Sequence, residues 1–196
     1  GFKEALTGIY IKIASKDLYA KNLSYGFLDI LGQRYEPSNV EAYQDELWYT
    51  FPSTKTESYT TTISGKMYNI IANVNNLLYY CDKKRDVFTT ENYYEIIKGE
   101  ALGLRAFLHF DLLRLFCENA KSTSDEDGIP YVDELTKQVT VSVSPAKVVE
   151  RVIQDLTDAA TCLANDPVLT GREVSTSEDD GYLVNRNYHL NYYAVM

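Results

Sequence analysis

The sequence of 196 residues has little of what usually announces chemistry. It carries three cysteines, Cys81, Cys117 and Cys162, odd in number, far apart and without a C-x-x-C pair. A disulfide framework or a zinc site needs closer, paired spacing, so these read as small buried hydrophobes. The two histidines, His109 and His189, are far from each other in the chain. His109 follows Arg105 by one helical turn, and that neighbour disfavours a charged or metal-bound imidazole. No G-x-S-x-G, H-E-x-x-H or phosphate-cradling glycine loop occurs, so no catalytic residue, metal ligand or cofactor is assigned. The candidate carboxylates for glycan hydrolysis, Asp125, Glu126, Asp127, Glu178, Asp179 and Asp180, lie in two loops with no apolar surroundings to raise a pKa. The first of these lacks the spacing and terminal glutamate of a calcium loop.

Two further scarcities narrow the partners. Positive charge is short, with 19 basic against 28 acidic side chains and a net charge of −9. Such a surface repels phosphate backbones, which argues against nucleic acid, and it disfavours anionic headgroups. No apolar run approaches the ~20 residues of a membrane helix. The chain opens directly on helical periodicity at Phe2-Lys3-Glu4-Ala5-Leu6, so any export signal is expected upstream.

What is present in quantity is apolar and aromatic surface, 45% and 13% of residues, enough for a real core. Seventeen of the aromatics are tyrosine, seven phenylalanine and one, Trp48, tryptophan. Tyrosine pairs an apolar ring with a polar tip, which suits half-wet surfaces: sugar-binding faces, but equally domain seams.

Helical spacing governs most of the chain. Phe2, Leu6, Ile9 and Ile13 mark one helix face over residues 2–14. Residues 15–58, with Gly26, Gly32, Pro37 and Pro52, keep no sustained period and read as irregular with short helical turns, a length often tied to function. The helical period returns over residues 59–81 through Ile63, Met67, Ile70, Val74 and Cys81. After a turn, Thr90 is the expected N-cap of a helix reaching about Glu118, roughly 28 residues or about 42 Å. That helix has two apolar stripes, Ile97-Ala101-Leu104-Leu108-Leu112-Leu115 and Leu102-Ala106-Phe110-Leu113, so it must be covered on both sides. Pro130 holds Ile129 extended. Ser144-Pro145 starts another helix with Val149, Val152, Leu156, Ala159 or Ala160, and Leu163 on one face. A second acidic loop, 175–181, leads to a last segment from about Asn187 that ends on an apolar run, so more chain is expected to follow. With no convincing strand, the expectation is all-α: stacked helix pairs in a tetratricopeptide-like layout with long irregular loops.

Within the irregular stretch, Tyr43, Trp48, Tyr49 and Phe51 cluster with Gln44, Asp45 and Glu46. A pyranose offers C–H groups on its faces and hydroxyls on its rim, so stacking rings and polar side chains together make a sugar site. These four aromatics are the glycan-binding candidates. The plainer alternative is that Trp48 fills the seam between this stretch and the helices.

Several segments resemble, in order, the SusD/RagB family of nutrient-binding proteins. Gly99-Glu100-Ala101, Leu104-Arg105-Ala106-Phe107 and Phe110-Asp111-Leu112-Leu113 are similar to the family's G-E-A-x-x-x-R-A-[FY] helix, with Cys117 where the family usually has glycine. Leu6-Thr7-Gly8-Ile9-Tyr10, Tyr68-Asn69-Ile70-Ile71, Gly128-Ile129-Pro130-Tyr131 and Val149-x-x-Val152-Ile153-x-Asp155-Leu156 resemble its other helices and its G-[IV]-P segment. The resemblance implies that residues 1–196 are the amino-terminal helical part of a longer protein whose carboxy-terminal part is absent. It implies a non-enzymatic outer-membrane surface lipoprotein that binds oligo- or polysaccharide beside a SusC-like TonB-dependent transporter. Membrane attachment would come only through a lipid anchor outside this chain. In such proteins Gly99, Glu100, Ala101, Arg105, Ala106, Phe107 and Asp111 are scaffold, and charges buried there would need partners. A helical-repeat adaptor that binds only protein is the competing function, and an all-α glycoside hydrolase the third.

Overall fold

The computed structural model describes residues 1–35, 43–51, 53–170, 186 and 189–196. These form two compact units: Thr7–Ile70, and Gly1–Leu6 together with Ile71–Met196. The architecture is all-α, of the tetratricopeptide-like helical kind, with one very short strand pair. Among the described residues no helix is long and apolar enough to cross a membrane.

Helix α1 (Phe2–Ile13) buries Leu6 and Ile9 and exposes Ile11, as the four-three spacing requires. In the Thr7–Ile70 unit the chain then winds through consecutive turns, such as Leu23 N–H to Leu18 O at 2.9 Å and Gly26 N–H to Lys21 O at 2.8 Å. A β-carbon on Gly26 would stand 2.9 Å from the Lys21 carbonyl oxygen, so the turn needs glycine there. Two short helices follow, α2 (Phe27–Leu31) and α3 (Gln44–Leu47). Their side chains Ile30, Tyr43 and Leu47 pack with Tyr59 into a small core, the Tyr43 and Tyr59 rings stacked at 5.4 Å.

Helix α4 (Thr54–Lys83) begins five residues before the expected Tyr59. Its start is set by polar chemistry, which hydrophobic periodicity does not register. Ser53 Oγ accepts the Thr56 N–H at 3.2 Å, the N-cap contact that satisfies an orphan donor of the first turn.

In the second unit, helix α5 (Tyr93–Phe116) starts two residues later than a Thr90 cap would place it. Asn92 takes the cap position in the left-handed region, φ 61°, which asparagine tolerates better than most residues. Its 24 residues give a rod of about 36 Å, shorter than expected. Ile97, Ala101, Leu104, Leu108 and Leu112 are buried on one stripe and Leu102, Ala106 and Leu113 on the other, so the rod is enclosed on two flanks. Phe110 departs from its stripe and is exposed.

Helix α6 (Pro145–Cys162) packs along α5 and has proline in its first turn as expected, burying Val148, Val152, Asp155 and Ala159. The Ser144 hydroxyl makes no cap; its backbone N–H is donated instead to Asp125 Oδ1 at 2.8 Å. Where no convincing strand was expected, β1 (Ile129–Pro130) pairs antiparallel with β2 (Ser142–Val143), Ile129 opposite Val143. Gly128 permits that approach, because a β-carbon there would lie 1.7 Å from the Val143 carbonyl oxygen. A last short helix, α7 (Tyr192–Val195), is capped by the Asn191 side chain, which accepts from Tyr193 and Ala194 N–H. The acidic loop at 175–181 and the segment start at Asn187 lie outside the described residues.

Candidate functional site

The charged motif residues of α5 turn inward. Arg105 donates Nε and Nη2 to the two carboxylate oxygens of Asp155 on α6, both at 2.7 Å. Its Nη1 reaches Asn75 Oδ1 at 3.0 Å and the Asp133 carbonyl at 2.6 Å. Asn75 in turn donates to the Val132 carbonyl at 2.8 Å, and Tyr131 OH donates to Asp155 Oδ2 at 2.6 Å. A buried ion pair repays desolvation only when its remaining donors and acceptors are filled, and here Asn75 and the segment 131–134 supply partners.

His109 completes the cluster, stacked on Tyr131 with ring centres 3.9 Å apart. Its Nε2 accepts the Val132 N–H at 3.0 Å while Nδ1 lies 2.9 Å from the Arg105 carbonyl. Accepting a backbone N–H requires a lone pair on Nε2, so the ring is neutral with its proton on Nδ1. Burial pushes its pKa down from 6.5 to about 4, and the Arg105 charge pushes the same way.

Glu100 anchors a second buried cluster. Its carboxylate pairs with Arg186 and lies 3.0 Å from His189 Nδ1. Arg186 also holds Asp166, at 2.8 and 3.1 Å. Gly99 lets Leu163 approach: a β-carbon would come within 2.7 Å of the Leu163 side chain. Ala101 and Ala106 are buried, and Phe107 is half-buried. Asp111 differs from Glu100 and Arg105, since it is half-buried and pairs with the exposed Arg114 one turn on, at 3.0 Å. The partners Asn75, Asp133, Asp166 and Arg186 are not marked in the sequence, and nothing there ties His189 to Glu100, because no local pattern links positions twenty to ninety residues apart. Asp155 and Tyr131 stood inside quoted motifs without an assigned role.

The four aromatic candidates divide. Tyr43 is only 7% exposed and belongs to the core with Ile30 and Leu47, so its ring has no face free for a sugar. Trp48, Tyr49 and Phe51 are 63%, 51% and 46% exposed. Trp48 therefore does not fill a seam. Its indole N–H is held by Gln44 Oε1 at 3.1 Å, one turn back on α3, while most of the residue stays exposed. Tyr49 sits in the left-handed region at φ 52°, its hydroxyl bonded to the Leu31 carbonyl, and its ring meets Phe51 edge-on at 6.2 Å. A bulky residue held in that region is a strained feature that surrounding contacts must enforce. Thr50 Oγ1 lies 3.3 Å from Asp45 Oδ1. Beneath them Glu46 is buried and accepts from Thr56 Oγ1 at 2.9 Å. The segment thus shows three aromatic rings and a polar rim on a pinned backbone.

Among the described residues no three histidine, cysteine or acidic side chains group at metal-ligating distance. The three cysteines are unpaired, and burial pushes the Cys81 thiol up to about 12.

Comparison with known proteins gives three findings. The sequence model of a SusD-like family, described as "Starch-binding associating with outer membrane", matches residues 2–175. A search of curated proteins found no match. Among solved structures, a SusD homologue from Bacteroides thetaiotaomicron VPI-5482 superposes with a TM-score of 0.73 at 23% identity, covering 99% of this chain and 34% of that one. A SusD superfamily protein from the same strain gives 0.66 at 20%, covering 99% and 39%. Another from Bacteroides vulgatus ATCC 8482 gives 0.61 at 19%, covering 85% and 34%. At these identities the likeness carries the fold, and the chain spans roughly a third of the length of those structures.

Proposed function

The chain belongs to the SusD-like family, and from that premise we propose that it serves a surface lipoprotein of the outer membrane that captures oligo- or polysaccharide without catalysing a reaction. It forms the amino-terminal helical part of that protein. The captured glycan passes to a SusC-like TonB-dependent transporter, and attachment to the membrane is through a lipid outside these 196 residues.

One observation supports the reading above the others: Trp48, Tyr49 and Phe51 are exposed together while the backbone that bears them is anchored. Exposed clustered aromatics cost free energy in water unless something covers them. A sugar face covers them well, since its C–H groups lie on the rings while its hydroxyls reach Gln44, Asp45 and Thr50. The rings are already placed by the Gln44 and Leu31 contacts, so little conformational freedom remains to be lost on binding.

Isothermal titration against a panel of soluble polysaccharides, starch among them, tests the proposal. Binding to at least one, weakened tenfold or more by Trp48→Ala with folding intact, is the expected result; a tenfold loss is about 1.4 kcal/mol. No binding to any polysaccharide, with capture of a purified protein partner through the same face, would favour the adaptor role. Release of reducing sugar would favour hydrolysis.

A further inference from the structure

The Thr7–Ile70 unit holds a cavity of about 280 Å³ between the end of α1 and the middle of α4. It is lined by Lys12, Ser15, Gly65, Lys66, Asn69 and Ile70. Its charge runs against that of the protein. Three of the residues 12–21 are lysine and one is aspartate, in a chain of net charge −9. Asp17 takes the Lys66 ammonium as an ion pair, and Lys66, Lys16 and Lys21 together hold its carboxyl below the usual range. Among the described residues Lys12 Nζ reaches an amide oxygen, that of Asn69 at 3.2 Å. Two ammonium groups, those of Lys12 and Lys66, thus belong to residues lining the cavity, and of these Lys66 is paired with Asp17.

Two observations at the same place point to a ligand. Ser15 Oγ is shielded from solvent and has no hydrogen-bond partner among the described residues. Buried hydroxyls are nearly always partnered, and Ser15 lines the cavity. Gly65 lies inside α4, where glycine costs about 1 kcal/mol against alanine. Packing does not demand it, because a β-carbon there would meet nothing within 4 Å. Its absence of side chain keeps the cavity open.

We propose that this cavity binds an oxyanion, the carboxylate of a uronic acid or the sulfate ester of an acidic saccharide. The saccharide as source of that oxyanion rests on the function proposed above; the anion site itself does not. Lys12 and Lys66 supply compact positive charge with several donors each, and Ser15 adds a hydroxyl. The volume sits at the lower edge of the ~300–1,000 Å³ of ligand pockets, room for one sugar unit.

The test is amide chemical-shift titration of the isotope-labelled chain with sodium galacturonate, sodium sulfate and neutral galactose, at ionic strength fixed with chloride because surface charge is screened by salt. Saturable shifts at Ser15 and Gly65 with galacturonate or sulfate, and none with galactose, are expected. A response to galacturonate alone assigns a uronate, and to sulfate alone a sulfate ester. Lys12→Gln and Lys66→Gln should each weaken binding about tenfold. Gly65→Leu should abolish it by filling the cavity while keeping the spectrum of a folded chain. No saturable shift, equal shifts with galactose, or lysine variants that titrate like the wild type would overturn the site. If no polysaccharide binds but galacturonate still saturates at Gly65, the capture function falls and the anion site stands.

Discussion

The surroundings of Arg105 and the segment 43–51 treat their side chains in opposite senses. Around Arg105, charged and polar groups from α4, α5, α6 and the 131–134 segment are buried and bonded to one another. In segment 43–51, the rings of Trp48, Tyr49 and Phe51 stand in solvent while backbone bonds from Trp48, Tyr49 and Thr50 to Gln44, Glu46 and Asp45 fix the turn that bears them. The first arrangement is scaffold, since removing either Arg105 or Asp155 strands a buried charge. The second is the arrangement that the proposed capture surface calls for.

The largest expected effect tests the scaffold half. Arg105→Ala leaves the Asp155 carboxylate buried without its bidentate partner and should cost about 3–5 kcal/mol in chemical denaturation. That exceeds the ~1–3 kcal/mol expected for a lost ordinary hydrogen-bond partner. Replacing both residues, Arg105→Met with Asp155→Leu, should recover part of the loss. A single variant as stable as the wild type would dissolve the contrast between the two regions.

The next effect depends on pH. In the unfolded chain His109 titrates near 6.5 and in the folded protein near about 4. Between those values the unfolded state binds more protons, so stability falls as the pH drops through that window and is level above it. The loss should approach about 3 kcal/mol, and a His109→Gln variant should show a flatter profile. Denaturation midpoints between pH 7 and pH 4 check the sign.

Smaller still is the consequence expected in the exposed region. Trp48→Ala should change stability by no more than about 0.5 kcal/mol, because the ring rests on solvent rather than on a core. Arg114→Ala, which removes the exposed partner of Asp111, should cost less than about 1 kcal/mol. A large destabilisation by Trp48→Ala would move that residue from the proposed binding surface into the scaffold.

How much of this was legible beforehand follows from the range of the forces involved. The helical rods of α1, α4, α5 and α6 are written in apolar periodicity, and Pro145 marks the start of α6. Their starts were less legible, since Ser53 and Asn92 act through a cap contact and a single left-handed residue that periodicity does not register. That Glu100 and Arg105 need partners could be argued from their place on a buried helix. Which partners they take, Arg186 and Asp155, depends on chain crossings that only the fold supplies. The aromatic cluster was visible as composition, but the division between buried Tyr43 and exposed Trp48 was not. Helix α3 is only four residues long and carries no readable period.

Trp48 is the only tryptophan in the chain, so its fluorescence reports on the proposed site alone. Titrating the protein with maltoheptaose and with each polysaccharide that shows calorimetric binding should shift the indole emission saturably, at the concentration where heat is released. Emission that stays unchanged while calorimetry records binding would place the saccharide elsewhere and contradict the assignment of segment 43–51.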